Sequence, residues 1–492
     1  MNRAPRELYA VAQVRELDRR ATASGIPGYQ LMQHAAAACW REIARRWPMA
    51  QYIHVICGSG NNGGDGYEIA RLALAAGCQV KVWQVSAAAP TGDAVIARQA
   101  WLTQGGTIAA TGSADFSAPD VVVDAVFGIG LSRALEGEIL TVIEDINRAR
   151  KAGAKVLAVD VPSGLNADTG TVLGAAVQAD VTVTFIGAKP GLYTASGKEC
   201  AGEVVVCDLG IPEGAYKDIE SSATLMRVED LVLSLTRRDR NAHKGHNGHV
   251  LLIGGNHGMG GAILLAARAA LCAGGGLVTV ATRAQYAGVL TSAQPELMCR
   301  ALETQTDLFA LIQCADVIAI GPGLGQDAWA RELLGRVLQS KLPLVLDADA
   351  LNLLAQEPSR CEHWVLTPHP GEAARLLDTS TADIQSQRPT AALQLQQRYG
   401  GVIVLKGAGT WVQSATQAQL CPYGNPGMAV GGMGDALTGI IAAFIAQGLT
   451  LEQAAASGVL AHALAGDRAA QKGERGLLPS DLIVELRAVV NP

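Results

Sequence analysis

The stretch Tyr52-Ile-His-Val-Ile-Cys57-Gly58-Ser59-Gly60-Asn61-Asn62-Gly63-Gly64-Asp65-Gly66, running on into Tyr67–Ala76, decides how this chain folds. A short apolar run rich in β-branched residues reads as a buried strand, and the Ala/Leu/Arg segment after the glycines reads as a helix. Gly58, Gly60 and Gly63 fit the dinucleotide pattern G-x-G-x-x-G. That fit alone is weak, because such loops also serve as tight turns. The pattern also wants an acid about 20 residues later for a ribose hydroxyl, and the next apolar run ends in Gln84 and Ser86 instead. No Gly-Lys-Ser/Thr follows, so this is not a nucleoside-triphosphate P-loop. What remains is a strand–loop–helix unit whose bare amides can cradle a phosphate at a helix N-terminus. A purely structural turn has no need of two asparagines and an aspartate among four glycines.

Similar runs recur after this unit. Apolar segments at 79–85, 121–126, 155–160, 180–185 and 203–208 follow it, and helix-like segments such as Glu138–Ala152 separate the first five of the six. Strands alternating with helices imply right-handed crossovers and a parallel sheet, with ligands at the loops after the strand C-termini. A polar, mixed-charge stretch then breaks the pattern. The expected division is residues 1–217, a linker over 218–228, and a second α/β domain over 229–492 with strands at 249–255, 277–282, 316–321, 342–349, 364–367 and 401–407. The fold class is therefore α/β, with two doubly wound domains.

Composition agrees. The 492 residues are 49% apolar and 17% charged, with a mean hydropathy of +0.20, which excludes extended disorder. A net charge of −6 and a pI near 5.9 argue against binding nucleic acid through bulk charge. Ten cysteines include no C-x-x-C pair, and several lie in apolar runs such as Leu271-Cys272. Buried, reduced thiols and a cytoplasmic location are expected. The charged N-terminus lacks a secretory apolar core, and the apolar stretch 429–449 carries Asp435 and many glycines, a poor membrane span.

Further polar residues end strands. Asp124 closes VVVDAV, Asp160 and Ser163 lie in VDVPSG, and Lys189 follows a strand in GAKPG. Singly, each acid reads as a helix cap or a satisfied partner. Together with Asn62 they bring oxygen donors to adjacent loops, a set suited to a hard cation such as a monovalent ion. In the second half, Gly254–Gly261 and Gly321–Gly325 offer bare loops to a phosphate-rich ligand. Thr367-Pro368-His369-Pro370-Gly371-Glu372 holds a histidine rigidly between two prolines. Gly431-Gly432-Met433-Gly434-Asp435 opens a helix with glycines beside an acid. Free amides at a helix start beside a base describe phosphoryl transfer to a hydroxyl.

GSGNNGGDG, VDAVFGIGLSR, VDVPSG and GAKPG resemble the NAD(P)HX epimerase family over about residues 8–215. The resemblance implies that Asn61, Asn62, Gly63, Gly64 and Asp65 bind hydrated NADH or NADPH. Gly128, Ile129, Gly130, Leu131, Ser132, Arg133, Ala134 and Asp160 would join them, and Asn62, Asp124 and Ser163 would hold K+. Gln33 stands where the family pattern leads us to expect Glu. The ring nitrogen beside C6 can expel hydroxide, and water can return to either face. Asp160 is the expected acid/base for that exchange, with Lys189 second.

HKGHNGHVLLIGGNHGMGGA, GPGLG, DADALN, TPHPGE, KGAGT and GGMGD resemble, in order, the NAD(P)HX dehydratase branch of the ribokinase-like superfamily over about 230–490. That resemblance implies that Ala262, Gly325, His369 and Asp435 meet the hydrated cofactor. Lys406, Gly407, Ala408, Gly409, Thr410 and Gly434 would meet an adenine nucleotide, and Asp435 would deprotonate the acceptor hydroxyl. The first domain is then Rossmann-like and the second ribokinase-like. The expected substrates are NADHX, NADPHX and ADP (or ATP) with Mg2+, in a homo-oligomer with no nucleic-acid or membrane partner. The rival expectation is a ribokinase-like small-molecule kinase fused to a non-catalytic nucleotide-binding or scaffold domain.

Overall fold

The computed structural model describes residues 6–85, 89–110, 119–131, 133–302 and 305–491. The chain divides into two compact units, at Thr224/Leu225. The boundary falls inside the stretch expected to be a linker, and that stretch is not featureless. Helix Glu213–Tyr216 and helix Val228–Ser234 flank strand Ala223–Leu225, whose Ala223 and Thr224 pair antiparallel with Leu8 and Glu7. Polar composition hid these elements because each is short.

The first unit has strands β1 (Glu7–Leu8), β2 (Tyr52–Cys57), β3 (Gln79–Gln84), β4 (Ile108–Ala110), β5 (Val121–Ala125), β6 (Lys155–Val159), β7 (Val181–Phe185), β8 (Glu203–Cys207) and β9 (Ala223–Leu225). The sheet order is β4-β3-β2-β5-β6-β7-β8, with every pair parallel. Strands β5 and β7 are buried along their whole length and β6 from Val156 onward, as central parallel strands covered on both faces are. One expectation fails. Residues 160–180 join β6 to β7 without a helix, and Gly164, Gly170 and Gly174 all take positive φ there. At Gly164 a Cβ would stand 1.8 Å from the Ala175 carbonyl oxygen, so this compact loop depends on the missing side chain.

The order of this sheet reverses at β2. The chain leaves it toward β3 and β4, then returns to its other side as β5. Such a switch point opens a crevice between the loops after the two central strands. Here those loops are 58–60, which leads into helix Asn61–Ala75, and 126–134.

The second unit has strands β10 (His249–Ile253), β11 (Leu277–Thr282), β12 (Met298–Ala301), β13 (Val317–Ile320), β14 (Leu344–Leu346), β15 (Trp364–Leu366), β16 (Val402–Leu405), β17 (Thr410–Gln413) and β18 (Ala418–Cys421). From β18 to β12 the order is β18-β17-β16-β15-β14-β13-β10-β11-β12, parallel except for the antiparallel β16-β17-β18 edge. Strands β12, β17 and β18 went unread in the sequence, being four residues each and only partly apolar. This sheet switches between β10 and β13. Helix Met433–Ala446 crosses behind it against helix Gly260–Cys272. At Gly439 a Cβ would lie 1.9 Å from the Ala266 carbonyl oxygen, so the two helices touch backbone to backbone.

All ten cysteines are free. Cys272 and Cys314 are exposed, against the expectation of uniform burial, because Cys272 ends its helix on the solvent side. Among the described residues no helix is long and apolar enough to cross a membrane.

Candidate functional sites at the two switch points

In the first unit the glycine loop is dictated by close approach. A Cβ on Gly58 would lie 2.1 Å from the Val126 carbonyl oxygen, and one on Gly63 would lie 2.0 Å from the Gly58 carbonyl oxygen. The loops after β2 and β5 therefore meet backbone to backbone. Gly60 is the N-cap and Asn61 begins the helix. Asn61 is exposed, whereas Asn62, Gly63, Gly64 and Asp65 are buried. Asp65 makes no hydrogen bond among the described residues, and burial, then the charge of Asp160, pushes its carboxyl well up.

Across the crevice, Gly128, Ile129 and Leu131 are half-buried and Gly130, Arg133 and Ala134 exposed, while Ser132 lies outside the described residues. Ile129 and Leu131 pack on the core and so anchor this loop.

Asp160 follows β6 with φ +67°, a left-handed backbone that turns its side chain inward. Its Oδ1 accepts from Lys189 Nζ at 2.6 Å and Thr184 Oγ1 at 3.2 Å. Its Oδ2 stands 2.9 Å from where a Cβ on Gly128 would be, with Asn62 Oδ1 3.2 Å from the same point. The Asn62 amide nitrogen is buried without a partner. The fold thus gathers Asn62, Gly128 and Asp160. Lys189 is fully buried and donates to Asp160 Oδ1, Thr184 Oγ1 (2.9 Å) and the Phe185 carbonyl (2.9 Å), using all three ammonium donors. It is an anchor for Asp160, with no donor left for a ligand.

Asp124 and Ser163 form a second cluster. Asp124 is wholly buried, and its oxygens accept from Ser163 Oγ (2.6 Å), Ser163 N (2.8 Å) and Val126 N (3.3 Å). Burial pushes its pKa up to about 6, and no basic side chain contributes to it. Asn62 has no hydrogen bond to either residue. Gln33 faces Tyr29, whose hydroxyl donates to Glu68 at 2.7 Å. The Tyr29–Glu68 hydrogen bond thus forms with the neutral amide as its neighbour.

In the second unit Asp435 is the third residue of helix Met433–Ala446, whose N-cap is Gly432 at φ +95°. Asp435 caps nothing. Burial, then the charge of Asp347, pushes its pKa up to about 7. Below that turn, Asp347 accepts from Lys406 Nζ (2.7 Å) and Thr438 Oγ1 (2.8 Å). Gly407 and Gly409, both at positive φ, make the turn from β16 to β17, with Ala408 exposed and Thr410 Oγ1 bonded to the Gly407 carbonyl. Buried Arg388 donates to the carbonyls of Leu405, Lys406 and Gly409 and so braces this turn. No sequence signal marked Arg388, which sits in an ordinary helical stretch. Asp347 was visible in DADALN but had no role there.

His369 is the N-cap of helix Pro370–Leu377. Its Nδ1 accepts from Gly371 N (2.9 Å) and Glu372 N (3.3 Å), which puts the ring proton on the exposed Nε2. Burial holds its pKa below 6.5. Glu372 accepts in return from His369 N at 2.8 Å, so H-x-x-E closes a capping box at this helix start. Gly325 donates its N–H to Asp349 Oδ2 at 2.9 Å, and a Cβ there would meet Asn256 Nδ2 at 2.9 Å. Asn256 in turn bonds Leu324 O, Asp327 and Arg283, tying three loops together. Ala262, in the first turn of helix Gly260–Cys272, faces Gly323.

Two α/β units, each with bare glycine loops and a carboxylate at a switch point, define a two-site enzyme that handles phosphate-rich small molecules. A family model described as NAD(P)H-hydrate dehydratase matches residues 250–487, and one described as YjeF-related protein N-terminus matches 28–191. A bifunctional NAD(P)H-hydrate repair enzyme of Coxiella burnetii is 48% identical over 500 residues, covering 99% of each chain. Its Escherichia coli K12 counterpart is 43% identical over 492 residues, covering 99% of this chain and 95% of that one. The structure of a ribokinase-like superfamily protein from Enterococcus faecalis V583 is similar to the second unit, at 35% identity and a TM-score of 0.52. The match covers 55% of this chain and 96% of that one. The chain belongs to the family of bifunctional NAD(P)H-hydrate repair enzymes.

Proposed function

We propose that the first unit epimerises R- and S-NAD(P)HX and that the second dehydrates the S form to NADH or NADPH at the expense of ADP, taken as its magnesium complex. The observation that carries this reading is common to both sites: a carboxylate oxygen without a hydrogen bond, set at a glycine loop where a phosphate-bearing ligand can lie.

In the first unit that oxygen is Asp160 Oδ2. In its carboxylic acid form it protonates the departing C6 hydroxyl as the ring nitrogen forms an iminium, and the carboxylate so formed regains a proton from the water that returns to the other face. Asn61 to Asp65 and Gly128 to Ala134 line the ligand. Asn62, Asp124 and Ser163 would hold K+. The donor set is all oxygen, and Asp124 is a buried carboxylate lacking a basic partner, both of which suit a cation. Such an ion would supply the counter-charge that no basic side chain gives Asp124.

In the second unit Ala262, Gly325, His369 and Asp435 receive the hydrated ring. Lys406 to Thr410 and Gly434 receive the nucleotide. Asp435 accepts the C6 hydroxyl proton as that oxygen attacks phosphorus. Hydroxide leaves carbon poorly and phosphate leaves it well, so phosphorylation makes the dehydration possible. The ten free thiols support a reducing compartment.

The test is absorbance at 340 nm on an equilibrated R/S mixture of NADHX in potassium buffer, with ADP, ATP or no nucleotide. Full, nucleotide-dependent return of NADH is expected, with the R fraction converted faster than it epimerises unaided. Return of the S fraction alone would remove the epimerase assignment. A stable phosphorylated product with no NADH would favour a simple kinase.

A further inference from the structure

Lys406 leaves the end of β16 and packs under the first turn of helix Met433–Ala446. Its side chain is 18% exposed, and a Cβ on Gly434 would stand 3.1 Å from Nζ. An ammonium has three donors. Among the described residues this one uses a single donor, to Asp347 Oδ1 at 2.7 Å, with Glu372 Oε2 farther off at 3.9 Å. The contrast with Lys189, whose three donors are all engaged, is chemical: one lysine is filled and the other keeps two donors beside the glycine turn. At that turn the amides opening the helix have no intrahelical acceptors, so they and the ammonium face the same space.

The charge is held there from below. Asp347 is 1% exposed and shares its two oxygens between Lys406 and Thr438 Oγ1, the latter at 2.8 Å. Thr438 belongs to the helix that Gly434 and Asp435 begin. Burial alone would lower the lysine's pKa, but the charges of Asp347 and Glu372 outweigh it and the value is raised.

We propose that Lys406 is a catalytic residue that grips the phosphoryl group in transit, with Asp347 and Thr438 as positioning residues that hold it against Gly434. This rests on the phosphorylation reading above. The C6 oxygen forms a bond to the terminal phosphorus of ADP as the bridging P–O bond breaks, AMP leaves, and Asp435 takes the hydroxyl proton. The C6–O bond then breaks with release of phosphate as the ring-nitrogen electron pair forms C=N, and loss of a C5 proton gives the dihydropyridine. Negative charge peaks on the phosphoryl oxygens in the first step, where the two free ammonium donors and the helix amides meet it.

The experiment uses the full chain. Wild-type enzyme is first assayed at 340 nm with S-NADHX and ADP, and a failure at that stage counts against the phosphorylation reading itself. With that activity in hand, Lys406→Met, Asp347→Asn and Thr438→Val are compared for kcat and, by calorimetry without NADHX, for ADP Kd. Lys406→Met is expected to lose about 10²- to 10³-fold in kcat, with a rise in ADP Kd of no more than about tenfold because Lys406 also borders the bound nucleotide. Thr438→Val is expected to lose kcat several-fold with Kd unchanged. Unchanged kcat in Lys406→Met, with the loss confined to ADP binding, overturns the proposal. If Lys406→Met and Asp347→Asn do not fold, Thr438→Val decides, and an unchanged kcat there also overturns it.

Discussion

Asparagine in place of Asp435 should silence the second site and stabilise the protein at the same time. Asp435 ionises near pH 7 rather than at its ordinary 3.8, first because it is buried and next because Asp347 lies close, with Glu372 and Asp349 adding to the repulsion and Lys406 opposing it. A carboxyl with a raised folded pKa binds its proton more tightly folded than unfolded. Its ionisation therefore costs nothing below about pH 4, costs more as pH rises from 4 to 7, and costs its full amount above 7. About three units at 1.36 kcal/mol each set an upper figure of about 4 kcal/mol. Asp435→Asn removes that cost, so its melting temperature should exceed wild type at pH 8 and match it at pH 4. Turnover should fall by about two to four decades. In the wild type, kcat for nucleotide-dependent NADH return should drop about tenfold between the plateau and pH 6. Stopped-flow absorbance at 340 nm across pH 5–9, with calorimetry at pH 4 and pH 8, measures all three. Near-normal turnover in the variant, or an acid limb that survives in it, would refute the base assignment. Loss of turnover with no gain in stability at pH 8 would refute the buried-charge explanation.

Other perturbations follow from single contacts. Lys189→Met leaves the Asp160 carboxylate buried without its ion pair, which should cost about 3–5 kcal/mol in urea unfolding of the first unit. It should abolish epimerisation while S-NADHX dehydration persists. Gly58→Ala must push its Cβ away from the Val126 carbonyl oxygen, so it should cost about 1–3 kcal/mol and impair epimerisation alone, as the two half-reactions assayed separately would reveal. Arg388→Met leaves the carbonyls around the β16–β17 turn unsatisfied, and nucleotide KM should rise more than kcat falls.

The alternation of apolar runs with helical segments was enough to reveal two α/β units, because burial on both faces leaves a parallel strand no choice but a continuous apolar run. Elements lacking that constraint escaped. β12 is a short edge strand, β17 and β18 are short antiparallel strands that are only partly apolar, and β9 is a polar-flanked ribbon paired with Glu7–Leu8. The 160–180 segment looked helical from its alanines and leucine, yet its positive-φ glycines and close backbone approaches belong to a loop.

The glycine loops and their acids were legible for the same kind of reason: a residue type with a strict local requirement marks its place. Gly58 and Gly63 sit where a Cβ would collide with a backbone oxygen, and that requirement shows in the one-dimensional string as glycine. What each polar group does with its neighbours was not. Lys189 and Lys406 look alike in sequence, each a lysine just past a strand. Only the packing spends all three donors of the first and one of the second. His369 stands out in the sequence as a candidate ligand group, and the fold adds that its Nδ1 caps the helix beginning at Pro370, which leaves Nε2 as the atom that faces outward. A steric demand for glycine marks the residue type itself, even when the colliding atom is as distant in the chain as the Val126 carbonyl is from Gly58, and so can be read from the sequence. Donor counts, counter-charges and desolvation depend on residues dozens to hundreds of positions away, such as Asp347 and Thr438, and only the folded structure brings those together.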